Sequence, residues 1–167
     1  MTLSDVQEID NGDWECTVTG KKDNGDYDSG TGHVHVTVAV PPSEVYLRAN
    51  DQPISGAIQM NLNENLIMMV DCVAVDARPA VDFNWYIGET KLNGNIKTFE
   101  EEGVDGKKTY ISTLEYAAAP KHDGQVLKCE TLSLGFTVQQ MADESNWAQA
   151  PLELECKNII IKKKVNS

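Results

Sequence analysis

The sequence predicts an all-β protein built as a Greek-key sandwich of two sheets, and three observations predict it. An apolar run reaches Cys72, a strand carrying Trp85 follows, and Cys129 lies 57 residues beyond the first cysteine. Short stretches of alternating hydrophobicity are punctuated by Asn93-Gly94, Asp105-Gly106 and Asp123-Gly124. Such dipeptides tolerate the positive φ that tight hairpin turns require. No stretch carries the apolar spacing of an amphipathic helix, so nothing competes with strands.

At the start of the chain, Asp10, Gly12 and Trp14 stand six, four and two residues before Cys16. This series resembles the Asp-x-Gly-x-Tyr-x-Cys approach to strand F of an immunoglobulin domain. Trp14 then occupies the tyrosine-corner position, supplying bulk and an N–H donor but not the tyrosine's hydroxyl bond. Lys21 to Gly32 reads as a polar, glycine-rich turn, and His33 to Val40 alternates with period 2. The expectation is a hairpin, strands F and G of a domain whose earlier strands are missing. An isolated hairpin is marginal in water, and Val34, Val36 and Val38 would lack a facing sheet. Residues 1–40 are therefore expected to be the remnant of a first domain. Pro41-Pro42 cannot donate to a ladder and favours extended backbone, so 41–42 reads as a stiff linker.

A complete second domain is expected over 43–163, with 164–167 as a tail. Its strands are placed at Glu44–Arg48, Ile54–Met60, Leu66–Val75, Val81–Gly88, Tyr110–Tyr116, Gln125–Ser133 and Leu152–Ile161. Lys91 to Glu102 is too polar to define strands by pattern. Alternation puts Val81, Phe83, Trp85 and Ile87 on a core face, with Asp82, Asn84 and Tyr86 opposite. Leu114, Tyr116, Leu127 and Cys129 face the same core. The whole pattern is that of an immunoglobulin-like Greek-key sandwich, in which the tryptophan packs on an inter-sheet disulfide, here Cys72–Cys129. Leu127 stands where the tyrosine of the corner is usual.

Composition narrows the function. The 167 residues carry a formal charge of -12 and are 41% hydrophobic. That is apolar enough for a core, and too acidic for nucleic acid, whose phosphates need a basic stripe. No run of 18 apolar residues exists to span a bilayer, and Ile159-Ile160-Ile161 before Lys162 is too short to do so. The start is polar and acidic, without the pattern of a signal peptide. Cys16, Cys72, Cys129 and Cys156 show no Cys-x-x-Cys or Cys/His ligand spacing, which favours disulfides over zinc. Disulfides imply an oxidising compartment, and with no signal peptide the chain is expected to begin inside a larger protein.

Several constellations invite chemistry. His33 and His35 share a strand face, about 6 to 7 Å apart, with Glu15 on the neighbouring strand as a third ligand. A solvated polar face is the preferred reading, because zinc wants three or four defined ligands. Asp23 to Gly30 is acidic and flexible but lacks the EF-hand spacing and its twelfth-position glutamate. His122-Asp123 comes without an activated nucleophile and fits a turn, and Glu100-Glu101-Glu102 fits a solvated run. No catalytic residue, metal or cofactor is expected. Cys156 follows Leu152 and Leu154 on one face and reads as a buried free thiol rather than a partner of Cys16. No Asn-x-Ser/Thr triplet occurs.

On these residues the chain resembles the immunoglobulin-superfamily adhesion molecules, most of all invertebrate fasciclin III, with nectins and nephrin-type proteins as wider relatives. The most specific pieces are Cys72-Val-Ala-Val-Asp-Ala-Arg78-Pro79 and Trp85-Tyr86-Ile87. The resemblance implies a non-enzymatic, extracellular recognition protein that binds a protein partner, itself included, through its membrane-distal domain. The outward face of the first hairpin, Glu15, Thr17, Thr19, His33, His35 and Thr37, is then the candidate contact surface. A weaker candidate is the outer side of the strand at 66–75, where Ile67, Met69, Val73 and Val75 would form an apolar patch. Alternatives are a structural module of an intracellular, muscle-type protein and a secreted immune-type binder.

Overall fold

The computed structural model describes residues 4–61, 67–133 and 146–155. Cys156 and the expected strand beyond it, to Ile161, lie outside the described residues. The strands are β1 (Gly12–Lys21), β2 (Tyr27–Val36), β3 (Glu44–Ala49), β4 (Gln52–Pro53), β5 (Ile58–Asn61) and β6 (Ile67–Ala77). They continue with β7 (Val81–Ile87), β8 (Thr90–Lys91), β9 (Asn95–Glu102), β10 (Lys108–Ala117), β11 (Val126–Ser133) and β12 (Trp147–Glu155). β1 and β2 form a separate two-stranded sheet. The rest make two five-stranded sheets, β4-β3-β6-β10-β9 and β5-β12-β11-β7-β8, the all-β immunoglobulin-like sandwich that the sequence predicts.

Alternation explains the layers. On β6, Met68, Val70, Cys72 and Ala74 are buried, while Ile67 and Met69 are exposed. Trp85, Leu114, Leu127 and Leu152 are fully buried between the sheets, and Phe83 packs half-buried against them. Burying each such side chain contributes about 1.5–3 kcal/mol. The Cys72–Cys129 disulfide, with Cα atoms 6.3 Å apart, ties β6 of one sheet to β11 of the other. Both sulfurs' residues are fully buried.

Several element boundaries differ from the sequence reading; the second hairpin strand, expected to alternate to Val40, ends at Val36. The first hairpin's strands run further, to Lys21 and from Tyr27, leaving a turn of Lys22–Asp26 closed by Lys22 N–H donating to the Asp26 carbonyl at 2.7 Å. Asn24 and Asp26 bond each other within it, so polar turn residues support strand pairing that hydropathy alone does not show. The expected strand at Ile54–Met60 shrinks to β5, which joins the opposite sheet by parallel pairing with β12. The polar stretch before Glu102 is a regular eight-residue strand, β9, in register with β10 along its length. Its polarity is used in cross-strand pairs: Lys97 with Glu115 at 2.8 Å, and Lys108 with Glu100 at 2.7 Å and Glu102 at 3.0 Å. Finally, β12 begins at Trp147, five residues before the expected start.

Candidate recognition surface

The β1–β2 register decides which hairpin side chains share a face. Glu15 lies opposite His33, Asp13 opposite His35 and Thr17 opposite Thr31. Directly opposed residues of an antiparallel pair point to the same side. Glu15, Thr17, Thr19, His33 and His35 therefore stand together, all exposed, and Thr37 follows just past the end of β2. Asp13 and Thr31 belong to this face too. Counting back by two from Glu15 would have found Asp13, whereas Thr31 was hidden in the stretch read as turn.

Polar contacts run across the face. The Asp13 carboxylate lies 2.7 Å from His35 Nδ1, Glu15 lies 3.9 Å from His33 Nδ1, and Thr17 Oγ1 donates to Glu15 at 3.1 Å. Cross-strand pairs of this kind contribute about 0.2–1 kcal/mol each. Among the described residues no group of three or more His, Cys, Asp and Glu converges to hold a metal ion. The opposite side of the hairpin carries Trp14, Cys16, Val18 and Val34, with Val18 at 66% and Val34 at 58% exposure. Cys16 is an exposed free thiol. Trp14 Nε1 donates to the Asp10 carbonyl at 2.8 Å. The tryptophan thus makes the backbone bond of a tyrosine corner with an N–H in place of a hydroxyl.

The weaker face splits. Ile67 is 61% and Met69 58% exposed, but Val73, expected beside them, is only 1% exposed. It does lie on the outer side of the sheet, between Tyr46 on β3 and Ile111 on β10. Those longer neighbours leave no Val73 surface for a partner. Between Val73 and Met69 runs a polar row in which Asp71 accepts from Arg48 Nε at 2.9 Å and from Thr113 Oγ1 at 2.6 Å. The bond to Asp71 raises the Arg48 guanidinium's pKa. Val75 is half-buried at the far end of the strand.

The remaining constellations make local contacts. His122 Nδ1 accepts the Ala119 N–H at 3.0 Å, and the Tyr116 hydroxyl lies 3.1 Å from the same ring. Asp123 caps a strand end by accepting the Leu154 N–H at 3.0 Å. Lys108, held between Glu100 and Glu102, has its pKa raised by those two hydrogen bonds. A cavity of about 720 Å³ opens between β7 and β9, lined in part by Val81, Phe83, Ile96 and Tyr110, with Asp82 and Glu100 among its polar residues. Among the described residues no helix is long and apolar enough to cross a membrane.

Comparisons with known proteins fit this geometry. Residues 52–140 match the family profile of the CD80-like C2-set immunoglobulin domain. No curated protein sequence matches the chain significantly. Among solved structures, Rst D1-D2 is 21% identical with a TM-score of 0.67, over 90% of this chain and 66% of that one. The full ectodomain (Ig1-Ig3) of mouse nectin-like molecule 4 is 19% identical with a TM-score of 0.54, over 91% and 45%. Bovine butyrophilin is 14% identical with a TM-score of 0.52, over 92% and 60%. These identities speak to a shared fold, and the chain spans between 45% and 66% of the three structures' lengths.

Proposed function

Because the chain belongs to the CD80-like C2-set immunoglobulin domain family, we propose that it is part of a cell-surface adhesion or recognition protein that binds a protein partner, a second copy of itself included. In this reading residues 1–40 are strands F and G of a first domain, 41–42 the linker and 43–163 the second domain. The protein is non-enzymatic and works outside the cell, where the Cys72–Cys129 disulfide persists. The narrower likeness to fasciclin III runs through nearly the whole chain, with the Cys72–Pro79 and Trp85–Ile87 motifs as its most specific pieces.

One observation carries the proposal. The hairpin holds Glu15, Thr17, Thr19, His33 and His35 exposed on one side, with Thr37 exposed just beyond it, on a sheet of its own apart from the sandwich. Two imidazoles beside carboxylates and hydroxyls give donors and acceptors in alternation, which suits a polar, specific protein contact rather than a greasy one. The test is aggregation of beads coated with the full-length ectodomain. Beads should aggregate or capture partner-bearing cells, and Thr17→Lys with His33→Glu should abolish it. If coated beads neither cluster nor bind any surface partner, the adhesion reading fails.

The absence of Asn-x-Ser/Thr triplets favours a second reading, a structural immunoglobulin module inside the cell. Protein taken from its native source decides between them. Cys72 and Cys129 alkylated as free thiols would support the intracellular module and remove the extracellular one.

A further inference from the structure

Arg78 sits where the hairpin, the linker and the sandwich meet, and it is only 7% exposed. Its backbone forms a two-way bridge with Val40: the Arg78 N–H donates to the Val40 carbonyl at 2.9 Å, and the Val40 N–H donates back at 2.6 Å. Its guanidinium reaches two further segments. Nε donates to the Val38 carbonyl at 2.8 Å, and Nη1 donates to the Asp105 carbonyl at 2.7 Å. Nη2 is buried without a hydrogen-bond partner among the described residues.

Each anchor is itself fixed. Val38 donates its N–H to Asn11 Oδ1 at 3.1 Å, which clips the chain after β2 to the residue before β1. Asp105 and Gly106 have φ of 57° and 70°, a left-handed turn that holds the Asp105 carbonyl in place. Lys107, one residue on, pairs with Glu8 at 3.1 Å on the hairpin side. A cavity of about 480 Å³ lined by Glu8, Ile9, Asn11, Arg78 and Asp105 lies at this junction. Neither β1 nor β2 shares an extended contact with a sandwich strand. The two parts are therefore joined by these polar ties and by the residues after β2, of which Val38, Ala39 and Val40 are half-buried and Pro42 is buried.

We propose that Arg78 is a positioning residue that fixes the angle between the hairpin and the sandwich. It thereby sets the direction in which the hairpin's polar face is presented, a consequence that rests on the function proposed above. The residue type follows from the task. A guanidinium is a planar fork whose donors bond two carbonyls from different segments at once, whereas an ammonium on a flexible stem bonds as a single point. Its acceptors are all backbone carbonyls, and among the described residues no carboxylate pairs with it. The tie consequently has no partner that acid would neutralise, and burial shields it from salt.

The test measures distance rather than binding. In the full chain carrying Cys156→Ser, spin labels on Cys16 and on Glu89→Cys report the separation of hairpin and sandwich by double electron–electron resonance. The native protein should give a single narrow distribution that stays narrow in high salt, where the exposed Lys107–Glu8 pair is screened. Arg78→Lys and Arg78→Gln should broaden it, as should Asn11→Ala, which loosens Val38 without touching the sandwich. Thermal unfolding recorded alongside confirms that each variant is folded. A broad native distribution overturns the proposal, and so does an Arg78→Lys or Asn11→Ala variant as narrow as the native protein. If Arg78 only stabilised the fold, its replacement would lower the unfolding midpoint and leave the distance alone, which also overturns the proposal. No partner enters the measurement, so its failure and the failure of bead aggregation are separate results.

Discussion

Trp85 Nε1 donates a hydrogen bond to Ser112 Oγ at 3.0 Å across the interior of the sandwich. Both residues are fully buried, on β7 and β10 of opposite sheets. The one polar atom of the core tryptophan is thus satisfied from the facing layer. Ser112→Ala should strand that N–H and cost about 1–3 kcal/mol, the usual penalty for an unpaired buried donor. Urea unfolding followed by circular dichroism would show it as a lower midpoint with an unchanged slope. An unchanged midpoint would mean the bond is energetically idle.

The Cys72–Cys129 bond closes a loop with a sequence separation of 57. In the chain-entropy account a loop of that size is worth about 4 kcal/mol. The double variant Cys72→Ala, Cys129→Ala should lose stability on that scale, and reduction of the native protein should do the same. Chemical denaturation with and without reductant gives the comparison. A loss well under half the expected size would place the sandwich's stability in its packing.

Acid should weaken the β10–β11 connection through His122. Burial, and then the neighbouring Lys121, lower this imidazole's pKa in the folded protein. The sign follows: the folded state prefers the neutral ring, so its contribution is complete above the unfolded value of about 6.5. It is lost as pH falls from there towards the lowered folded value. A protonated Nδ1 also cannot accept the Ala119 N–H it now receives. His122→Asn should therefore flatten the stability profile below about pH 6.5 relative to the native protein. Equal slopes would clear His122 of the effect.

Two substitutions on one outer strand face should behave oppositely. Met69→Glu places a charge on a side chain that is 58% exposed, and the fold should tolerate it within about 0.5 kcal/mol. Val73→Glu buries a carboxylate at a position 1% exposed and should unfold the domain or nearly so. Circular dichroism separates the two. Only Met69→Glu, with Ile67→Glu, is then a fair probe of self-association by ultracentrifugation, and unchanged association in both removes that patch as a contact surface.

Much of the sandwich was legible because burial imposes period 2 on its inner strands. Val81, Phe83, Trp85 and Ile87 read as one face in the sequence, and in the fold three of the four are buried with Phe83 packed against them. Where strands satisfy their polar side chains across the sheet, the pattern fails. β9 is held by ion pairs through Lys97 and Lys108 that no hydropathy window sees, and the tip of the first hairpin is held by backbone pairing of polar residues. Val73 was misjudged for a related reason: alternation gives the side of the sheet but not the size of the neighbours flanking it. In the sequence Arg78 stands out as part of the Cys72–Pro79 motif and as a turn residue before a proline, not as a buried tie. Its burial depends on Val38 and Asp105, distant segments that no local spacing connects to it.

The parallel pairing of β5 with β12 has a mechanical consequence. Leu152 lies beside Ile58 and Leu154 beside Met60, so the two strands run in the same direction. β3 and β4 precede β5 in the opposite sheet, and β12 is the last described strand. Tension applied at the start of β5 and at the end of β12 drags the two strands past each other lengthwise, and their hydrogen bonds share the load instead of opening singly from one end. A pull along β5 and β12 in opposite directions loads this seam in shear, the geometry in which a few weak bonds resist together.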